Sequence, residues 1–317
     1  MEFLVIVLIA VAALAVVVLL TSFICFWMAF YAPRRKEKEE YPIPPGKIYE
    51  PHRETMVSWI KEARAMPHDD VSIRSFDGLT LSGQYFEGEP DAPIEIMFPG
   101  YRGVAERDLC GGVQRAFALG HNVLIVNQRG CDKSGGRVIT FGVREHRDCL
   151  SWVDYVLDRF GSDVKIILAG VSMGAATVMT AAGCDLPPQV VGIVADCGYT
   201  SAKDIICKVI RQLNLPDKLL YPFVRLGGLI YGGFDVEETS PIEGMRKCRV
   251  PVFFAHGDGD DFVPYEMSVQ NHTACTAKKM LFTVSDAGHG LSYLVDPEGY
   301  VKALNDIFPE HSILKDK

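Results

Sequence analysis

The pattern of apolar and polar positions begins with one long uncharged run, over residues 3–32. At about 1.5 Å per residue, a helix of this length extends roughly 45 Å and exceeds the ~30 Å hydrocarbon core of a bilayer. A cleaved signal peptide has a shorter apolar region preceded by positive charge, whereas Glu2 is the only charged side chain before this run. Trp27 and Tyr31 lie near its end, where amphipathic rings favour the membrane interface. The pattern therefore predicts an uncleaved transmembrane anchor over residues 1–32.

The residues that follow the run predict its orientation. Directly after it come Arg34, Arg35, Lys36 and Lys38. Cytoplasmic flanks of membrane helices carry an excess of Lys and Arg, and nearby acidic residues count little. We therefore expect a single-pass membrane protein whose C-terminal bulk lies in the cytoplasm. Nine cysteines without a CxxC pair fit the same reducing compartment, and they indicate neither a disulfide scaffold nor a zinc cluster.

A second region, residues 33–70, connects the anchor to the rest of the chain. Residues 33–51 combine several charges with prolines at positions 33, 42, 44, 45 and 51, which predicts a semi-extended linker. In residues 52–66 the apolar positions recur at helical spacing. This spacing predicts a short amphipathic helix that packs on the folded domain.

From residue 71 onward, short apolar segments alternate with amphipathic ones. The predicted strands span residues 71–76, 79–86, 94–98, 123–126, 165–169, 190–195, 250–255 and 279–284. The predicted helices span residues 106–119, 143–160, 172–182 and 292–308. Asp77-Gly78, between the first two strands, is a strong hairpin signal, so these strands are expected to be antiparallel. The alternation predicts an α/β domain over residues 71–317, with an eight-stranded, mostly parallel sheet covered on both faces.

Residues 199–247 interrupt the alternation after the sixth strand. They carry one amphipathic helix and a second apolar stretch that contains two Gly-Gly pairs. An insertion at this place would lie over the carboxyl edge of the sheet, where open α/β sheets bind ligands. We expect it to form a short helical lid.

Composition and charge narrow the classes of partner. Apolar residues make up 48% and charged residues 23% of the chain, which excludes a disordered protein. The net charge is −8 and the pI is about 5.5. Nucleic acid is therefore not expected as a partner, because phosphate binding needs a basic surface.

The motif with the clearest chemistry is Gly170-Val171-Ser172-Met173-Gly174. A predicted strand precedes it and a helix of small residues follows it, so Ser172 is expected on a tight strand-to-helix turn with its hydroxyl exposed. The glycines permit the strained turn and a close approach of helix and strand. This setting predicts that Ser172 is a nucleophile.

A serine nucleophile needs an adjacent base and an acid that orients the base. His289 is the predicted base, because it follows the last strand among small neighbours. Asp258, Asp260 and Asp261 in the loop after the seventh strand compete for the acid, and Asp196 after the sixth strand is a fourth candidate. The Asp-rich loop lacks the ligand series and closing Glu of a calcium site, and no metal is expected.

Acyl transfer also places negative charge on the substrate oxygen, which backbone amides stabilise. The amide of Met173, directly after the nucleophile, is one predicted donor. The second is the amide of Tyr101, in the loop after the third strand. There Pro99 has no N–H to donate, and Gly100 allows the backbone to turn.

These motifs together resemble the α/β-hydrolase superfamily, above all bacterial esterases and serine-aminopeptidase-like members with an N-terminal membrane anchor. The resemblance covers residues 70–310 and rests on the segments FPGYRG, NQRGCDKSGG, GVSMG, HGDGDDFVP and AGHG. It implies that the acid is Asp260, four residues after His256. Relatives often carry His-Gly before the oxyanion loop, where this chain has Pro99-Gly100.

The resemblance and the motifs predict a serine hydrolase that cleaves carboxylic esters or thioesters through an acyl-enzyme. We expect a small-molecule acyl substrate and no cofactor. The apolar residues of the 199–247 lid are expected either to line an acyl pocket for short to medium chains or to pack the lid onto the core. The alternatives are a serine peptidase that trims N-terminal residues and a catalytically silent, membrane-tethered scaffold.

Overall fold

The structure is a computed structural model that describes residues 1–33 and 39–309. Its strands are β1 (Asp69–Arg74), β2 (Thr80–Phe86), β3 (Ile94–Phe98), β4 (Asn122–Val126), β5 (Ile166–Val171), β6 (Val190–Asp196), β7 (Val252–Gly257) and β8 (Lys279–Val284). Its α-helices are α1 (Glu2–Ala29), α2 (Arg53–Ala65), α3 (Ala105–Asp108), α4 (Cys110–Ala118), α5 (Glu145–Phe160), α6 (Met173–Ala181), α7 (Ala202–Gln212), α8 (Asp217–Gly227), α9 (Pro241–Lys247), α10 (Tyr265–Ala274), α11 (Ser292–Val295) and α12 (Pro297–Ile307). A 3₁₀ turn over Glu50–His52 precedes α2, and a π-helical turn over Gly228–Gly232 follows α8.

All eight strands form one sheet, in the order β1-β2-β4-β3-β5-β6-β7-β8. The β1–β2 and β2–β4 pairs are antiparallel, and the remaining neighbours are parallel. This confirms the predicted eight-stranded, mostly parallel sheet with an initial hairpin. Because β5 lies between β3 and β6, the turn after β5 meets the loops after both neighbours at the carboxyl edge.

Apolar side chains cover both faces of this sheet. On one face, Trp152 of α5 and Val178 of α6 pack with Leu168 of β5. On the other face, Tyr300 of α12 belongs to the same cluster as Ala169 of β5. Leu168 and Ala169 are consecutive, so their side chains point to opposite faces of the strand. The residues of β3 and β4 are all buried, as expected for central strands with helices on both sides.

Two predicted helices are each divided in the structure. The 106–119 segment forms α3 and α4, separated at Leu109, whose backbone leaves helical geometry. The 292–308 segment forms α11 and α12, separated at Asp296. Pro297 cannot donate a helical hydrogen bond, and the Asp296 side chain accepts from the Gly299 amide as the cap of a new helix.

The N-terminal run forms one helix, α1, that is long and apolar enough to cross a membrane by length and composition. The C-terminal third of α1 contacts the folded domain. Phe26 and Phe30 are buried in a cluster with Val224 of α8 and Val143 before α5. The end of α1 is therefore packed on the folded domain.

The connecting region differs from the predicted linker. Arg34, Arg35, Lys36 and Lys38 lie outside the described residues. Farther along, Ile43 is buried against Met56 and Ile60 of α2, and Tyr49 packs on the same cluster. From Tyr41 onward the predicted 33–51 linker is irregular and packs on the domain through apolar side chains between its prolines. The predicted packing of the 52–66 helix holds for α2.

The 199–247 insertion is helical, as predicted, and several of its apolar side chains pack against other parts of the chain. Ile206, Ile210 and Val224 pack against the end of α1. The α9 part belongs to the main body, because a Cβ on Gly244 would overlap the carbonyl oxygen of Met179 in α6. Part of the apolar stripe of the insertion is buried by α1, a contact that helical periodicity could not identify.

Candidate active site

Ser172 occupies a strained turn between β5 and α6. Its φ of 57° and ψ of −116° lie outside the regions that a serine ordinarily adopts. The flanking glycines are required by space: a Cβ on Gly170 would overlap the backbone of Gly174, and a Cβ on Gly174 would overlap the carbonyl oxygen of Phe98. The tight contact presents Ser172 at the carboxyl edge of the central strand, in the geometry of a nucleophile elbow.

His289 and Asp260 form a short hydrogen bond nearby. His289 Nδ1 lies 2.6 Å from Asp260 Oδ2, and the Asp260 side chain is fully buried. The other carboxylate oxygen accepts from the amides of Phe262 and Val263, at 2.8 and 2.9 Å. Burial by itself would raise the pKa of Asp260, but hydrogen bonds from His256 and His289 hold it well below its usual range. The acid is therefore ionised and oriented toward the imidazole.

The other three aspartates are bonded elsewhere. The Asp258 carboxylate accepts from the Asp286 amide at 2.6 Å. The Asp196 carboxylate accepts from the hydroxyls of Ser292 and Tyr300. Asp261 contributes its backbone carbonyl to the Gln212 side chain at 3.0 Å. Among the described residues, the structure brings only Asp260 of the four candidates into contact with the His289 ring.

His256 contacts the Asp260 carboxylate, an interaction that the sequence analysis did not predict. Its Nε2 lies 3.1 Å from Asp260 Oδ2 and 2.9 Å from the Val263 carbonyl oxygen, and its Nδ1 lies 2.6 Å from Ser268 Oγ. The two acceptors at Nε2 place the proton there, so Nδ1 accepts from the serine hydroxyl. His256 is buried and thereby fixes the Asp260 carboxylate in one orientation.

Cys197 is the group that sequence analysis did not connect with the site. It follows β6 with a φ of 45°, and the backbone amides of Ser172 and Gly290 face its sulfur. Its sulfur and the ligand-type atoms of Asp260 and His289 lie within 4.8 Å of one another. Burial raises the pKa of this thiol well above its usual range, so it stays protonated. A metal ion there would have to displace the Asp260–His289 hydrogen bond.

Within residues 1–33 and 39–309, no direct hydrogen bond joins Ser172 to His289. Both residues border Cys197, so the structure places them at one site. Hydrogen bonds between catalytic groups are often long without substrate and shorten when it binds.

The loop after β3 lies beside Ser172, as the oxyanion prediction requires. A Cβ on Gly100 would lie 3.7 Å from Ser172 Cβ. The Gly100 amide donates to the buried Asp108 carboxylate. The role of the next amide, that of Tyr101, stays a prediction. The side chain of Gln128 donates to the Pro99 carbonyl oxygen at 2.6 Å and holds the loop from the other side.

The N-terminal region also reaches the site, although nothing in the sequence indicated it. The hydroxyl of Tyr49 donates to the His289 carbonyl oxygen at 3.0 Å. The hydroxyl of Tyr101 donates to the carbonyl oxygen of Ala29, the last residue of α1, at 2.7 Å. Burial raises the pKa of Tyr101 to about 12, so its hydroxyl remains a donor at neutral pH.

A cavity of about 70 Å³ lies next to the site, beneath α2. Trp59, Asp108, Arg115, Asp196 and Tyr293 contribute to its wall, and Gly290 places it beside His289. Burial raises the pKa values of Asp108 and Asp196. Both carboxyl groups already have partners in the protein: Arg107 lies 2.6 Å from Asp108, and the Ser292 and Tyr300 hydroxyls bond to Asp196.

Part of the chain matches a known family model, and two relatives are similar to it in sequence. Residues 96–229 match the family model described as alpha/beta hydrolase fold. The chain is 27% identical to the uncharacterised protein YqkD of Bacillus subtilis over 189 residues, 59% of this chain and 62% of YqkD, less than two thirds of that relative. It is 27% identical to protein bem46 of Schizosaccharomyces pombe over 258 residues, 78% of this chain and 79% of bem46.

Solved structures share the architecture. The esterase Pf2001 of Pyrococcus furiosus superposes with a TM-score of 0.63 at 20% identity, over 85% of this chain and 98% of the esterase. The acylaminoacyl peptidase of Pyrococcus horikoshii superposes with a TM-score of 0.55 at 15% identity, over 81% of this chain and 44% of the peptidase. At such identities the likeness concerns the fold alone. The match over residues 96–229 and the superposed structures show that this chain has the alpha/beta hydrolase fold.

Proposed function

We propose that this protein is a serine hydrolase that cleaves carboxylic esters or thioesters through an acyl-enzyme. The observation that carries the proposal is the strained Ser172 turn beside the Asp260–His289 hydrogen bond. Strain of this kind persists only where the surrounding structure enforces it, and it is typical of functional sites. The esterase among the structural neighbours is consistent with this chemistry.

In the first half of the reaction, Ser172 Oγ attacks the carbonyl carbon of the substrate. Its proton passes to His289 Nε2, because Nδ1 is held by Asp260. The carbonyl oxygen gains negative charge and accepts hydrogen bonds from the Met173 and Tyr101 amides. As the tetrahedral intermediate collapses, the alcohol or thiol leaves with the proton from His289, and the acyl group stays on Ser172.

In the second half, water replaces the leaving group. His289 takes a proton from the water, which attacks the acyl carbon, and then returns that proton to Ser172 Oγ as the acid is released. Asp260 keeps its charge throughout and stabilises the imidazolium. The low pKa of Asp260 supports this role, because a protonated carboxyl could not stabilise a cation.

We propose further that α1 anchors the protein and that the catalytic domain faces the cytoplasm. The basic residues at positions 34, 35, 36 and 38 support this orientation. The packing of Phe26 and Phe30 into the domain supports retention of α1, since removal would expose a buried cluster. Protease added to intact cells should spare the domain, and digestion there would reverse the proposed topology.

The peptidase alternative draws on the buried carboxyl groups beside the site. Asp108 and Asp196 line the adjacent cavity, and a substrate ammonium would need such a recess. Both carboxyl groups already have partners in the protein, however: Arg107 for Asp108, and the Ser292 and Tyr300 hydroxyls for Asp196. The esterase assignment therefore accounts better for the charges around His289.

The test combines labelling by a fluorophosphonate probe with hydrolysis of a set of esters, thioesters and an aminoacyl amide. A fluorophosphonate probe should label the full-length protein and the matched control Ser162→Ala, a change at an exposed remote serine, but not Ser172→Ala. Unchanged labelling of Ser172→Ala would refute the proposed nucleophile, and an unlabelled wild type would favour the silent scaffold. Faster hydrolysis of an aminoacyl amide than of any ester or thioester would replace the esterase by the peptidase.

A further inference from the structure

His289 lies in a loop of small residues between β8 and α11. Its neighbours Ala287, Gly288 and Gly290 have little side chain with which to hold the loop. Gly290 has a φ of 68°, in the left-handed region that glycine tolerates. Asp260 binds the imidazole at Nδ1, but the direction of the ring also follows from the backbone that carries it. A fixed imidazole therefore requires contacts that fix the main chain of this loop.

Two side chains from distant parts of the chain hold the peptide unit between His289 and Gly290. The Tyr49 hydroxyl donates to its carbonyl oxygen at 3.0 Å. Its N–H, which belongs to Gly290, donates to the Cys197 sulfur. Both hydrogen-bonding groups of one planar peptide are thus engaged, which fixes the orientation of the peptide plane. We call Tyr49 and Cys197 the peptide clamp. The Cys197 sulfur also faces the Ser172 amide, so it connects the backbone of the base with that of the nucleophile.

Both members of the peptide clamp are neutral at physiological pH. Burial raises the pKa of Tyr49, and the neighbouring Cys197 and Asp260 raise it further, so its hydroxyl remains a donor. Burial likewise raises the pKa of the Cys197 thiol well above its usual range. The clamp therefore brings no additional charge to the imidazole, whose cation only Asp260 has to stabilise. Its effect on His289 is one of position.

The clamp tyrosine belongs to a segment that packs along the same side of the site. We call residues 41–65, which include α2, the strap. A Cβ on Gly288 would lie 3.3 Å from Ile48 Cδ1, so the strap backs the loop one residue before the catalytic histidine. Farther along the strap, the rings of Trp59 and Tyr293 lie 5.9 Å apart, which joins α2 to α11 just after the loop. The strap therefore contacts the loop before, at and after the histidine.

We propose that Tyr49 and Cys197 are positioning residues for the general base, which they aim at Ser172 by clamping the His289–Gly290 peptide. The inference rests on the serine hydrolase function and adds two residues outside the three that carry the reaction. Both act through the backbone of His289, and neither transfers a proton. Without the clamp the imidazole would turn away from the Ser172 hydroxyl, so proton transfer would slow while substrate binding stayed the same.

The first experiment measures kcat and KM of the full-length protein on 4-methylumbelliferyl acetate. Tyr49→Phe removes the clamping hydroxyl and keeps the ring. It should lower kcat roughly tenfold and leave KM within about twofold of wild type. Tyr41→Phe is the matched control, because Tyr41 lies on the same strap with its ring 4.8 Å from the Arg64 guanidinium. The control should keep both constants. An unchanged kcat in Tyr49→Phe, or an equal loss in Tyr41→Phe, would overturn the inference.

A double-mutant cycle tests whether the two side chains act on the same peptide. Cys197→Ala removes the sulfur, and it is combined with Tyr49→Phe. Once either contact is lost the peptide is loose, so the combined variant should lose less in kcat than the product of the two single losses. A combined loss equal to that product would show that the two residues act independently and would overturn the clamp.

A third measurement needs no activity. The proton between His289 Nδ1 and Asp260, which lie 2.6 Å apart, should give a far-downfield NMR signal in detergent, assigned by its loss in His289→Gln. His121 Nδ1, 2.7 Å from a Glu95 oxygen, provides a reference signal in the same protein. In Tyr49→Phe the His289 signal should shift or broaden while the His121 signal stays unchanged.

Two results of the NMR measurement would overturn the clamp. An unchanged His289 signal in Tyr49→Phe would show that the hydroxyl does not position the base. Loss of both signals would show that Tyr49 maintains the fold rather than the position of His289. If the wild type shows no Ser172-dependent cleavage of any ester, the serine hydrolase proposal fails, whereas the NMR signal still decides whether Tyr49 holds His289.

Discussion

At the scale of single residues, the four hydrogen bonds around Asp260 separate it from its acidic neighbours. His256 and His289 bond to one oxygen, and two backbone amides bond to the other. Asp260→Asn should lower kcat roughly 10⁴-fold, as in serine proteases whose acid is replaced, because the amide favours the wrong imidazole tautomer. Asp261→Asn, at an exposed neighbour, should stay within about twofold of wild type. The measurement is the kcat of ester hydrolysis by both purified variants. A larger loss in Asp261→Asn than in Asp260→Asn would make Asp260 a structural residue.

The same carboxylate predicts a dependence of stability on acid. Its pKa is lower in the folded protein than the ~3.9 of an unfolded aspartate, so the unfolded chain binds more protons as the pH falls. The stabilisation is therefore complete above that value and is lost below it, by at most ~1.4 kcal/mol per pH unit. Asp148, whose pKa burial raises to about 6, contributes with the opposite sign. The contribution of Asp260 is therefore obtained by comparing how the free energy of unfolding depends on pH in the wild type and in Asp260→Asn.

Denaturant unfolding in detergent, from about pH 6 to pH 2, supplies that difference. The free energy of unfolding should fall more steeply with acid in the wild type than in Asp260→Asn. Parallel curves would show that Asp260 has an ordinary pKa in the folded protein.

At the scale of elements, the close packing of the β5–α6 turn requires that residue 174 has no side chain. A Cβ on Gly174 would overlap the carbonyl oxygen of Phe98, which belongs to the neighbouring strand and cannot rotate away. Gly174→Ala should therefore reduce the free energy of unfolding by about 1–3 kcal/mol or more and displace Ser172. Thermal unfolding and fluorophosphonate labelling would both report the change.

The matched control is Gly112→Ala, on helix α4. Its Cβ would meet only the Met97 side chain, with the sulfur at 3.3 Å, and a flexible thioether can move. Alanine also favours the helix by up to ~1 kcal/mol over glycine. Gly112→Ala should therefore be neutral or stabilising, and equal melting temperatures for the two variants would contradict the steric argument.

At the scale of the whole molecule, α1 and the α/β domain form one structural unit. Burial of Phe26 and Phe30 contributes about 3–6 kcal/mol by the usual value for such side chains. The Ile139 amide also donates to the Phe30 carbonyl oxygen, and Tyr101 and Arg102 bond to the end of α1. A chain without residues 1–32 should therefore melt at a lower temperature and lose roughly 10²-fold in activity on a soluble ester, as the oxyanion loop shifts.

A chain that begins at Thr21 provides the comparison, since it lacks the proposed membrane span but keeps the packed end of α1. It should retain both the melting temperature and the soluble-ester activity of the full chain. If the chain without residues 1–32 has the same melting temperature and activity as the chain that begins at Thr21, the packed end of α1 has no structural role.

The sequence alone determined the strand alternation and the serine turn. The predicted bounds of β3 and β8 agree with the structure to the residue, and the other strands differ by one or two positions, because buried strands are continuous apolar runs between turn residues. Ser172 and His289 could be named because their chemistry depends on local signals, a strand–turn–helix motif and a histidine after the last strand. The choice of Asp260 needed the family resemblance, since its neighbours Asp258 and Asp261 carry the same chemical group.

Only the tertiary structure decided which surfaces meet. The pattern showed that the 199–247 insertion has an apolar face, but not that α1 covers it. Likewise, no local signal could connect Tyr49 with His289, 240 residues away, or Tyr101 with Ala29. The physical reason is that periodicity records whether a side chain is buried, whereas its partner depends on how distant segments pack. The contacts that hold the loop after β3 therefore exist only once α1 and the sheet have come together.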